Sequence, residues 1–242
     1  MTTIIKMAAA ISLTLMMLSC QIVSNIGPGE RGDGNVQSED RVVSNFNKIE
    51  VSNGIDLYLT QGTEESLVVQ ADSNLLEFIK TEVSGGTLRV FTEKNIHSAA
   101  SRKVKLTFKN LEALTANSGS DVLSNSLLEL EDLKVSASSG ADVDVELNAQ
   151  NVIARSSSGS DIYLSGTAQS IDAEASSGSS VKATKLKAEN GSADASSGAD
   201  VSINVSGKLS ASASSGGDVT YYGNPKVIDK NKSSGGRVRS RN

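Results

Sequence analysis

The chain has no tryptophan, one histidine, one cysteine and two prolines, and aromatic residues make up only 3% of its 242 positions. Each shortage narrows what the chain can be. A compact globule of this length needs more large side chains to fill a thick core. A chain this poor in them needs a narrow one. The one histidine, His97, stands in a polar stretch, and no Ser/His/Asp set, zinc spacing or phosphate-binding loop appears. One cysteine cannot close a disulfide within the chain. No apolar run is long enough to span a bilayer as a helix. Net charge is −5, or −6 once residues 1–19 and their Lys6 are removed. That sign argues against nucleic acid or an anionic membrane surface as the main partner.

What is abundant is glycine, at 21 residues, and it is placed with a period. Seven copies of one phrase run through the second half, among them Asn117-Ser118-Gly119-Ser120-Asp121-Val122, Ser138-Ser139-Gly140-Ala141-Asp142-Val143 and Ser157-Ser158-Gly159-Ser160-Asp161-Ile162. Their glycines step by 21, 19, 19, 20, 18 and 19 residues. A fixed period near 20 marks a solenoid, in which each repeat stacks on the next. Aligned on glycine, apolar or small residues fall five and three positions before it and three and five after it. Period two on each side of the glycine turns one face of each strand inward. The register changes across Ser-Ser-Gly, which is where a corner belongs, and glycine accepts the positive φ that a tight corner demands. Stacked corners place serine over serine, a geometry that predicts a hydrogen-bonded ladder. The inward residues before the corner are small and those after it larger, so a flattened core is expected.

The predicted fold is all-β: a single-stranded parallel β-helix with rungs of about 20 residues, right-handed by the general preference of parallel crossovers. A β-sandwich or β-prism of short antiparallel strands is the alternative, and the near-constant period disfavours it. Roughly nine rungs from Arg41 onward would stack to about 40 Å. Residues 41–112 carry weaker periodicity and the larger side chains, so they read as a less regular end of the same solenoid, before regular rungs over 113–242. Asn74 to Glu82 reads as helical turns or a bulged strand. Glu93 to Arg102, with the only histidine, His97, reads as a polar loop. The tail is basic, and a charged last rung protects an open sheet edge.

Residues 1–19 have the form of a secretory signal: Lys6, an apolar stretch from Met7 to Leu18, then Cys20. A lone cysteine at that point resembles a bacterial lipobox, with Cys20 acylated to become the N-terminus. Lipid there would hold the protein on a membrane. Residues 20–40 read as the lipidated end and a flexible tether. They contain Arg31-Gly32-Asp33, which is either an adhesion motif or a chance run in a Gly- and Asp-rich linker.

The lipobox, the tether, Ser52-Asn53-Gly54-Ile55-Asp56, the rung phrases and Tyr222-Gly223-Asn224-Pro225 together resemble the head GIN domain family of autotransporter-adhesin-like proteins. The resemblance covers about residues 41–240. It implies a parallel β-helix, export and a cell-envelope location, on the periplasmic face of the outer membrane or at the cell surface. It supplies no catalytic motif and no cofactor.

One column of residues invites a site: Asp121, Asp142, Asp161, Asp200 and Asp218. Carboxylates stacked at the spacing of neighbouring strands repel unless a cation bridges them, so they are weak calcium candidates. Against that, Asp is a common corner residue that caps backbone N–H groups, and Ser180 interrupts the column. Polysaccharide cleavage would need paired carboxylates or a basic residue in a groove, and Arg102 and Arg155 stand alone. The expectation is a non-enzyme. Its partners are a membrane, through the N-terminal lipid, and a glycan or an envelope protein, or further copies of itself in a structural spacer.

Overall fold

The computed structural model describes residues 29–241. The expected signal segment and Cys20 lie outside them. The strands of the N-terminal part are β1 (Glu30–Arg31), β2 (Val36–Arg41), β3 (Lys48–Val51), β4 (Asp56–Gln61), β5 (Ser66–Asp72), β6 (Ile79–Ser84), β7 (Thr87–Thr92), β8 (Ile96–Ser98) and β9 (Arg102–Phe108). The regular part comprises β10 (Ala113–Asn117), β11 (Asp121–Ser124), β12 (Leu128–Glu129), β13 (Asp132–Ser138), β14 (Asp142–Ser157), β15 (Asp161–Ser176), β16 (Ser180–Ala195), β17 (Asp200–Val205), β18 (Lys208–Ala213), β19 (Asp218–Tyr222), β20 (Val227–Lys232) and β21 (Arg237–Ser240). The result is a parallel β-solenoid whose regular repeat makes about seven turns. Two further layers come from the N-terminal part.

Each turn has two faces. The entry face leads into the Ser-Ser-Gly corner, and the exit face leads away from it. In one turn β13 runs along the entry face and the first half of β14 along the exit face. The second half of β14 then lies in register beside β13, with Leu133 opposite Val152 and Val135 opposite Ala154. The inward columns are buried as the alignment predicts. Val122, Val143, Ile162, Val181, Val201 and Val219 line the exit side, and Leu114, Val135, Ala154, Ala173, Ala193 and Ala211 the entry side. Three positions before Gly159 the inward residue is the polar Ser156, whose hydroxyl bonds to Ser160 at 2.7 and 2.8 Å.

The corner is tighter than a single glycine makes it. Ser139 and Gly140 both have positive φ, at 56° and 72°, and the pair repeats at every copy of the phrase. Two consecutive positive φ values give a type I′ turn, closed where Ala141 N–H donates to Ser138 O at 3.3 Å. Asn53-Gly54 forms the same turn in the first rung. Corners are joined through the backbone: Gly140 N–H donates to Ser158 O, and Gly159 N–H to Ser177 O. The expected ladder therefore runs through peptide groups, because the turn directs the second serine's carbonyl at the adjacent corner.

The N-terminal part departs from simple stacking. The rung of β3 and β4 pairs on one side with β7 and β9, and on the other with β10 and β11. The chain thus lays a layer below its first rung and then crosses over to continue above it. Antiparallel strands close that lower end: β5 pairs with β9, β2 with β5, and β6 with β7. Phe46, Leu67, Val69, Leu75 and Ile79 are buried beneath them. Three expectations change. Pairing begins at β1 and β2, so the chain is not a flexible tether as far as residue 40. The segment from Asn74 makes the expected turn, with Phe78 and Ile79 N–H donating to Leu75 O, but gives way to β6 at Ile79 rather than running to Glu82. The polar loop contains β8, whose Ile96 is buried beside exposed His97.

Candidate functional site

The aspartate column exists. Asp56, Asp121, Asp142, Asp161, Ser180, Asp200 and Asp218 follow one another in register along the exit face, with Lys103 beyond one end and Arg237 beyond the other. Its members have different surroundings. Burial, then the Asp56 and Asp142 carboxylates, push Asp121 above the ordinary range. Burial also pushes Asp161 up, but hydrogen bonds from Ser180, Lys182 and Tyr163 outweigh it and hold Asp161 low. Arg237 grips Asp218 with two bonds of 2.7 Å and lowers it as well. Among the described residues no three carboxylate, histidine or cysteine side chains converge as a metal cluster would. Of the five calcium candidates, two are occupied by cationic side chains.

The entry face carries a different surface. A depression of 510 Å³ extends over five successive strands and is lined by Asn117, Ser138, Arg155, Ser157, Glu174 and Ser176, among others. It is hollow because serines and alanines stand where larger side chains would fill it. Arg155 spans two rungs, donating to Glu174 at 2.8 and 3.1 Å and lying 3.7 Å from Asp172. Arg155 thus has partners, which its isolated position in the sequence gave no sign of. The hydrogen bond from Arg155 lowers Glu174. A wider depression of 770 Å³ lies against Asn47, Glu112, Glu129, Glu131 and Asp132. No repeated element builds it, so the ordered trough on the entry face is the better candidate.

The exit face bears the exposed tyrosine, Tyr163, in register with Asp144 and Lys182. Tyr221 instead is buried, with its hydroxyl bonded to Lys230 at 2.7 Å. Arg31-Gly32-Asp33 is folded against the lower end. Asp33 accepts bonds from Asn35 N–H and the Ser73 hydroxyl, and a Cβ at Gly32 would stand 2.3 Å from Asp72. Asp72 itself is fully buried. Sequence reasoning passed over it, since nothing near it repeats.

No curated protein matches the chain. The chain is similar to the solved structure of a "putative adhesin" from Bacteroides fragilis, at 22% identity and a TM-score of 0.82 over 88% of this chain and 100% of that one. A second "putative adhesin", from Parabacteroides merdae, gives 16% identity and a TM-score of 0.72 over 88% and 99%. A "putative lipid binding protein" from Parabacteroides distasonis gives 18% and 0.65 over the same shares. These likenesses show a shared fold. The sequence profile of the family described as "Putative auto-transporter adhesin, head GIN domain" matches residues 45–225, ending on the proline of Tyr222-Gly223-Asn224-Pro225. The rung phrases, the solenoid they build and this match together place the chain in the head GIN domain family.

Proposed function

We propose that the chain is a non-enzymatic, adhesin-like head of an exported lipoprotein, held on the outer membrane through acylated Cys20. Its binding surface is the trough on the entry face, and its ligand is a glycan laid along the stack. One observation carries this reading: hydroxyl, amide and charged groups recur there at the strand spacing of about 4.8 Å, beside the Arg155–Glu174 pair. Such a row presents hydrogen-bond donors and acceptors along the stack, which suits recognition of a polyhydroxylated chain.

A glycan array with the chain from Gln21 onward tests it. The expected result is selective binding that Ser157→Trp, which fills the trough, abolishes without changing the circular dichroism spectrum. Absence of any binding, together with a multimeric mass by light scattering, would favour the alternative of a self-assembling envelope spacer.

A further inference from the structure

Residues 29–41 lie across the lower end of the solenoid as a strap. Val36 is the one aliphatic side chain among them, and it is 39% exposed. All of β2 except Arg41 is exposed. The strap therefore buries almost no apolar surface, and hydrogen bonds hold it. Glu30 N–H donates to Asn95 O and Gly32 N–H to Ser98 O, both at 2.8 Å, and Asn74 clasps Arg31 O and Asp33 N–H. The central anchor is Asp72. Its carboxylate accepts Gly34 N–H at 2.7 Å from the strap, and Ala100 and Ser101 N–H at 2.8 and 3.0 Å from the loop before β9. At the far end Arg41 is fastened separately, donating to Ile79 O and Leu76 O.

We infer that residues 29–40 form a detachable strap, latched on Asp72 and hinged at Arg41, that opens as a unit while the solenoid stays folded. A segment with few buried apolar contacts and an exposed ladder belongs to the low-stability end of a fold. Asp72 is the one fully buried acceptor that binds the strap and the 98–101 loop together, so its loss frees the strap first. Arg41 stops the opening, because its guanidinium is fixed to the turn that follows β5 and to the start of β6. Opening releases on the order of 40 Å of extended chain and bares the outer edge of β5. The latch stands on this geometry alone. Its use, a lengthening of the link between membrane and head under load, rests on the lipid anchor proposed above.

Hydrogen exchange on the full chain, read by mass spectrometry, tests the latch. In Asp72→Asn the amide group points donors at donors, and peptides covering residues 29–40 should exchange at least ten-fold faster, with peptides covering 132–222 unchanged. Gly32→Ala, which drives a Cβ into the carboxylate while leaving it in place, should do the same. Wild-type exchange of the strap in both variants overturns the inference. So does equal acceleration in the solenoid, which would make Asp72 a staple of the whole fold.

Discussion

At the scale of the residue, the phrase Ser-Ser-Gly assigns different work to each position. The second serine adopts a left-handed conformation that costs an L-residue roughly 1–2 kcal/mol, and it does so at all seven copies. The glycine beside it has open space where a Cβ would go, at Gly159 as at the other six corner glycines. Gly159→Ala should therefore cost only the backbone term, roughly 1–2 kcal/mol. Gly166 differs: its φ is 107°, and a Cβ would overlap the Leu147 carbonyl oxygen in the rung alongside. Gly166→Ala should cost about 3 kcal/mol or more, the range of steric conflicts that backbone must absorb. Urea melts of the two variants check the order, and a larger loss at Gly159 would sink this account. The corner glycines were legible because they repeat. Gly166 was not, because its demand comes from a neighbouring strand rather than from its own sequence. The positive φ of the serines did leave a trace: Asn53-Gly54, in the first rung, is the standard dipeptide of a type I′ turn.

At the scale of the element, the two ends of the stack are protected by different means. The lower end exchanges parallel for antiparallel pairing and covers itself with β5, β6 and β2. The upper end is one rung, β20 and β21, with an open edge. Register puts Ile228, Lys230 and Lys232 above the buried Leu209, Ala211 and Ala213. Two lysines thus occupy core positions of a layer that has nothing above it. Lys230 bends down so that its amine lies 4.7 Å from the Tyr221 ring centre. An inward charge at a terminal layer blocks the addition of another strand. Replacing both residues, Lys230→Leu with Lys232→Leu, should convert the edge into an apolar template. Concentration-dependent association in light scattering is the expected outcome, and a strictly unchanged mass would argue that the lysines are incidental. The basic tail was legible as edge protection. The inward direction of Lys230 and Lys232 was legible too, because they stand five and three positions before Gly235, where the other repeats carry their inward residues. The lower end was the least legible element, because antiparallel pairing of β2 and β5 joins segments that share no repeat.

At the scale of the whole molecule, contacts in the regular part are made between neighbouring turns, so stability there is close to a sum over turns and their interfaces. Removing residues 159–177, from Gly159 to Ser177, joins Ser158 to Gly178 and keeps every corner in phase. That shortened chain should still melt cooperatively with the same β spectrum. Removing half as many residues should not, since a half-period puts core positions on the wrong face. The lower end obeys no such arithmetic. Its first rung, β3 and β4, is enclosed between a layer made later and the first regular turn made later still. A chain emerging N-terminus first completes that enclosed layer before any repeat exists. The threading thus gives assembly a direction: the irregular end is the seed, and each repeat, as it arrives, finds one finished ladder to copy.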